Sequence, residues 1–244
     1  MNWPLFVIGA MAGGFINGLA GFGTALFALG FWLQFMDPEQ AVGLVLVVSA
    51  VTGIQGLWIV RKAIADQPKR LMRFLLPAFA GIPLGIELLS RLDAGHLKLA
   101  IASLLIVYGG YFSLRRTLPK FDKPTPVIDS TIGFVGGILG GAAALSGALP
   151  TMWCAMRPWT KSETRAVLQP FNVAVLGLTC IVFALRGVYT SQTLMLLSVA
   201  LPVALVTAQV GIYIFTRISD TAFRRLLVGM TFLSGATLLL RELL

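Results

Sequence analysis

Two glycine-laden apolar runs, Ile8–Phe27 (IGAMAGGFINGLAGFGTALF) and Ile132–Pro150 (IGFVGGILGGAAALSGALP), constrain this chain more than any other feature. Each is apolar enough to enter a bilayer, yet each interior glycine costs a helix about 1 kcal/mol relative to alanine. An uninterrupted helix is therefore a poor fit to either run. An apolar segment that breaks at mid-depth, once in each half of a chain, is the pattern that marks the binding site of a secondary transporter.

Composition fixes the solvent. The 244 residues are 57% hydrophobic and 12% charged, against about 25% charged in a soluble domain. The chain reads as an all-α polytopic membrane protein with about eight to ten membrane segments of roughly 20 residues or fewer. Its formal charge of +9 resides in short loops between apolar runs, where Lys and Arg set orientation and meet anionic headgroups, so a nucleic-acid partner is excluded. Cys154 and Cys180 have no CxxC partner and His96 is the one histidine. Neither a disulfide framework nor a metal centre is expected, and no cofactor. The N-terminus lacks the basic region of a cleavable signal peptide.

In chain order, Pro4 to Phe35 is too long for one span and bends at Asn17–Thr24, as re-entrant arms or as a tight pair of spans. Asp37 and Pro38 suit a helix start, and Ala41 to Val60 forms the next span. After the basic stretch Arg61–Arg73 comes a span over Phe74–Leu89, with Pro77, Gly81, Pro83 and Gly85 predicting a kink and close packing. Spans follow over Leu99–Leu114, Ala166–Leu185, Leu194–Phe215 and Leu226–Leu240. Thr160 and Glu163 have capping-box spacing, and Pro170 suits a first helical turn. The polar stretch 117–129 separates a first repeat, 1–116, from a second, 130–244. Setting Gly14 on Gly137 places Gly18 on Gly141 and, after a two-residue slip, Ala41-Val42 on Ala166-Val167.

Charge tests the topology. If each glycine-rich run crosses once, the loops divide 11 Lys and Arg to 8. If each crosses an even number of times, the clusters within 61–73, 115–123, 157–165 and 217–225 give 15 on one side. Arg91, Lys98, Arg186 and Arg241 leave 4 on the other, out of 19 in all. The second division is the one a positive-inside protein shows. It makes an odd number of crossings per half, and hence two inverted-topology repeats, each opening with a glycine-rich broken or re-entrant helical hairpin, with both termini periplasmic.

Polar groups inside a membrane segment are expensive and mark pathways or paired contacts. Around the first break these are Asn17, Gly21, Gly23 and Thr24; around the second, Ser146, Gly147 and Thr151, with Gln169 and Asn172 on the span that follows. Broken helix ends expose N–H groups suited to an anion, and glycine lets backbone approach a ligand. The same hydroxyls also serve as helix–helix glue, and Gln169 and Asn172 as caps. No Lys or Arg lies within either run, so backbone and hydroxyls are expected to meet the charge. Arg157 and Arg165 flank the second run, at a mouth or as topology-setting charges. Trp153 and Trp159 read as interface anchors. Glu87 stands four residues before Arg91, a favourable helical ion pair, with proton coupling as its second reading. No catalytic motif is present, so no enzyme is expected.

The stretch NGLAGFG at Asn17–Gly23, GGILGGAAALSGALP from Gly136, the Ala41-Val42 and Ala166-Val167 starts and GIPLG at Gly81–Gly85 resemble the sulfite exporter TauE/SafE family of membrane transporters. The family's glycine triplet is replaced here by Thr24-Ala25 after Gly23 and by Ser146-Gly147-Ala148. The resemblance implies movement of a small anion (sulfite, an organosulfonate or a related organic acid) across the bacterial inner membrane, with the bilayer as the other partner, a homodimer compatible, and no cofactor. With it goes alternating access at a midplane site between the two breaks, an anion channel or a partner-requiring membrane protein being the rivals.

Overall fold

The computed structural model describes residues 2–91 and 121–223, with positions 103, 225, 226 and 229 besides. The expected spans over 99–114 and 226–240 fall largely outside these. Among the described residues all regular structure is helical: α1 (Trp3–Ala20), α2 (Thr24–Trp32), α3 (Pro38–Asp66), α4 (Pro68–Arg91), α5 (Pro126–Ala143), α6 (Ala148–Ala155), α7 (Lys161–Leu185) and α8 (Ser191–Arg217). Six of them, all but the short α2 and α6, are long and apolar enough to cross a membrane.

Both glycine-rich runs are broken. Helix α1 stops at Ala20 because Gly21 turns left-handed, at φ 85°, and returns its N–H to the Asn17 carbonyl. After Phe22, Gly23 is left-handed too, at φ 99°, and α2 begins. It runs back along α1: Trp32 Nε1 donates to the Phe6 carbonyl at 3.0 Å, and Thr24 Oγ1 to that of Gly13 at 3.4 Å. In the second run α5 ends where Ala144 adopts φ 57°, a conformation that costs a residue with a Cβ about 1–2 kcal/mol. Helix α6 then returns along α5, with Trp153 Nε1 donating to Asp129 Oδ1 at 2.7 Å.

The helices between these breaks pack through glycine. A Cβ at Gly14 would fall 2.4 Å from the Ala204 carbonyl oxygen of α8, and one at Gly18 2.0 Å from that of Ala208. A Cβ at Gly137 would fall 2.1 Å from the Ala78 carbonyl of α4, and one at Gly141 2.5 Å from that of Ile82. Numbers rise together in each pair, so α1 runs parallel to α8 and α4 parallel to α5. Their contacts are the two most extensive among the described helices. Small residues permit this approach in the absence of a hydrophobic drive between helices. Helices α3 and α7 run antiparallel: Gly43 faces Val188 and Phe183, Gly53 faces Val173, and Gly56 faces Gln169.

Several local expectations are corrected. Helix α3 extends through Arg61 and Lys62 to Asp66, and α4 already starts at Pro68. The basic stretch is thus mostly helix, because nothing interrupts backbone hydrogen bonding where the chain leaves the apolar layer. Helix α5 starts at Pro126, inside the stretch assigned to the linker. Pro170 sits in the interior of α7, not its first turn. The helix starts at Lys161 because Thr160 and Glu163 form the expected capping box, side chain to backbone in both directions.

One end of the molecule gathers the basic segments. Arg70 Nη1 pairs with Glu163 Oε1 at 3.0 Å, Arg73 Nη1 lies 3.9 Å from Asp129 Oδ2, and Lys161 Nζ donates to the Phe215 carbonyl at 3.0 Å. At the opposite end Tyr189 donates to the Gly43 carbonyl at 3.2 Å. Side-chain polarity is inverted relative to a water-soluble fold. Trp58, Ile54, Leu76 and Val206 lie exposed, while Asn17, Thr52, Arg165, Gln169 and Asn172 are buried.

Candidate functional site

The two breaks meet inside the protein. Phe22, between the left-handed Gly21 and Gly23, lies against Gly147 of the second break: a Cβ built on Gly147 would stand 2.6 Å from that of Phe22. Two polar groups flank this contact.

The first centres on α7. Arg165 is 0% exposed, and its Nε donates to Gln169 Oε1 at 3.0 Å. Its Nη1 lies 3.4 Å from the Leu19 carbonyl near the C-terminal end of α1, where the helix dipole is negative. Nη2 has no hydrogen-bond partner among the described residues, and the guanidinium lies over the Phe215 ring at 4.3 Å. Gln169 Nε2 donates onward to the Gly53 carbonyl of α3 at 2.9 Å. Gly21 and Gly56 lie so close to this pair that a Cβ on either would fall 2.8 Å and 2.4 Å from Gln169 Oε1. Asn17 stands nearby, its Nδ2 donating to the Ser49 carbonyl at 3.0 Å and to Thr52 Oγ1 at 2.6 Å, with Oδ1 buried and unpartnered.

The second group lies at the second break, next to Gly147. Ser146 Oγ donates to Asn172 Oδ1 at 2.5 Å, and the buried Asn172 Nδ2 has no partner among the described residues. Thr151 Oγ1, in the first turn of α6, is likewise buried and without a partner among the described residues. Unpaired buried polar atoms of this kind are rare and call for an explanation.

Of the residues singled out from sequence, Asn17, Gly21, Arg165 and Gln169 come together, as do Ser146, Gly147 and Asn172; Thr151 lies a turn further on, its backbone N–H on the Gly147 carbonyl at 3.0 Å. Thr24 is turned back onto the Gly13 carbonyl. Arg157 is held elsewhere: Nη2 pairs with Asp129 Oδ1 at 3.0 Å, and Nη1 donates to the Phe121 and Lys123 carbonyls at 3.0 and 2.7 Å. It ties the 121–125 segment to the second hairpin, beside the buried Trp153. Glu87 is on the exposed face of α4, and the Arg91 side chain lies outside the described residues. A buried cation, Arg165 of α7, lies outside both glycine-rich runs and against Gly21.

Sequence reading passed over Phe22, Asp129 and the α3 face Ser49, Thr52, Gly53 and Gly56. That face has a signal: small or polar residues at i, i+3, i+4 and i+7 in an otherwise apolar helix are one stripe.

Six crossing-length apolar helices, an apolar exterior and a buried polar centre define a polytopic helical membrane protein. The chain matches the family described as Sulfite exporter TauE/SafE over residues 5–238, and it belongs to that family. Neither the curated proteins nor the solved structures contain a match to this chain.

Proposed function

We propose that the protein is a secondary-active transporter that moves a small anion, sulfite or a related sulfonate or organic acid, across the bacterial inner membrane by alternating access. The anion is held between the two broken helix pairs. One observation carries this reading. Arg165 is buried beside the first break, against Gly21, with no carboxylate partner among the described residues, and a buried cation of this kind costs several kcal/mol unless an anion compensates it. Asn172 Nδ2 and Thr151 Oγ1 add uncharged donors where α6 begins and its dipole is positive. In this reading Asn17, Gln169 and Gly21 position Arg165, and Ser146 orients Asn172.

The two halves are read as inverted-topology repeats. The support is the contact pattern, which maps onto itself when α1–α4 are exchanged for α5–α8. Gly14 on Ala204 then corresponds to Gly137 on Ala78, and Gly18 on Ala208 to Gly141 on Ile82. Under that exchange α3 is the counterpart of α7, and the two run antiparallel, as a two-fold axis in the membrane plane requires. Such an arrangement lets one half rock against the other around a fixed site. The basic end faces the cytoplasm by the positive-inside rule, which leaves both termini periplasmic.

The test is sulfite flux into proteoliposomes containing the purified protein alone. Saturable uptake, lost in Arg165→Gln, is the expected outcome. Ohmic, unsaturable flux, or full activity of Arg165→Gln, overturns the carrier reading.

A further inference from the structure

The geometry points to Phe22 as the residue that sets the size of the anion this site accepts, an inference that rests on the anion site proposed above. Phe22 is 1% exposed and is the one residue between two left-handed glycines, at φ 85° and 99°. Side-chain-bearing residues rarely adopt such a backbone, so the pair of glycines fixes where the ring points. It points at Gly147: a Cβ there would stand 2.6, 2.9 and 3.0 Å from Phe22 Cβ, Cγ and Cδ2.

The chain neighbours on each side touch the two polar groups. Gly21 lies against Gln169 Oε1 and Arg165 Cγ, and Ser146, next to Gly147, donates to Asn172. Phe22 therefore stands where the two breaks touch, next in the chain to the group around Arg165 and against the residue that follows Ser146. An anion held between the breaks, as proposed above, lies beside this ring. A compact oxyanion with little or no organic tail fits there without displacing Phe22. A sulfonate bearing an aryl tail needs further room at the contact between the breaks, which the buried ring fills. The substrate class selected is thus the compact oxyanion, and Phe22 is a specificity-determining residue.

Inhibition of radiolabelled sulfite uptake in proteoliposomes by methanesulfonate and by benzenesulfonate tests this, for the wild type, Phe22→Ala and Phe22→Leu. In the wild type benzenesulfonate is expected to inhibit at least about tenfold more weakly than methanesulfonate. In Phe22→Ala the phenyl ring of the ligand replaces the one removed, and the ratio of the two inhibition constants shifts about tenfold or more toward benzenesulfonate. Phe22→Leu falls between, and it decides the matter alone if Phe22→Ala is not monodisperse in detergent. An unchanged ratio with sulfite uptake intact sinks the role of Phe22 and leaves the transporter reading standing. Absence of saturable sulfite uptake in the wild type sinks both.

Discussion

Arg165 is oriented by Gln169. The guanidinium Nε donates to the amide oxygen one turn along α7, and the amide nitrogen is tied at 2.9 Å to the Gly53 carbonyl on α3. The cation carried by α7 is thereby fixed to α3. Glycine at positions 53 and 56 lets the two helices approach closely enough for this: a Cβ on Gly56 would stand 2.8 Å from Arg165 Nη2.

Replacing Gln169 separates orientation from charge. Gln169→Leu keeps the cation but frees it, and the apparent KM for sulfite should rise about tenfold, the worth of one hydrogen bond to a charged group. Gln169→Glu sets a carboxylate beside the guanidinium and neutralises the site, so flux should fall to background while the protein remains folded. Initial rates in proteoliposomes, alongside detergent melting curves, distinguish the two variants. Wild-type flux from Gln169→Glu would remove Arg165 from the anion site.

The glycine seams predict a second pattern. Gly18→Ala and Gly137→Ala each drive a methyl group to within about 2 Å of a backbone carbonyl, Ala208 in one case and Ala78 in the other. Backbone cannot yield as a side chain can, so both should lower the melting temperature in detergent, and by similar amounts on the inverted-repeat reading proposed above. Gly30→Ala and Gly177→Ala meet nothing within 4 Å and should be neutral or gain up to about 1 kcal/mol from helix propensity. If all four behave alike, the seams are looser than drawn.

How much of this could be read from the chain depends on where the physics is local. The breaks were legible because glycine's φ is a local property: Gly21 and Gly23 turn left-handed within the stretch marked as a bend. The second break was less so, since the left-handed residue is Ala144, and only tertiary packing of α6 on α5 makes that residue pay its way. Pairing Gly14 with Gly137 was legible as a pattern, but not that these glycines face Ala204 and Ala78, which are distant in sequence. Arg165 was the hardest. An arginine four residues into a capped helix reads as an interfacial charge, and its burial depends on α1 ending above it. Asp129 was missed because its partners Trp153 and Arg157 are more than 20 positions away, with no spacing rule to connect them.

Asp129 and Arg157 make a third test. Both are about 97–98% buried, and their 3.0 Å contact is supplemented by bonds from Trp153 Nε1 at 2.7 Å and Thr125 Oγ1 at 3.3 Å. Removing one partner of such a pair leaves the other charged and buried, a loss of about 3–5 kcal/mol, smaller when Arg157 is removed because the half-exposed Arg73 stays 3.9 Å from Asp129 Oδ2. Arg157→Met and Asp129→Asn should each destabilise the protein strongly. The double variant should recover much of the loss, because no charge is then stranded. Thermal unfolding in detergent, read as a double-mutant cycle, gives the coupling. Strict additivity of the two losses would show that the pair is not coupled in the folded protein.

Sidedness is the remaining consequence of the charge distribution. Lys69 and Lys123 are exposed and belong to the basic end, whereas the exposed Arg186 lies in the turn between α7 and α8 at the other. In a background carrying Cys154→Ala and Cys180→Ala, single cysteines at these three positions should react with a membrane-impermeant maleimide from opposite faces. Lys69→Cys and Lys123→Cys should label only after the cytoplasmic face is opened, and Arg186→Cys in intact cells. This outcome joins two independent arguments. Charge counting assigns the basic loops to the cytoplasm, and the Arg70–Glu163 and Lys161–Phe215 contacts gather those loops at one end. Labelling of Lys69→Cys and Arg186→Cys from the same face would contradict both, because α3 and α7, antiparallel and in contact along Gly43, Gly53 and Gly56, leave no path by which those two turns share a side.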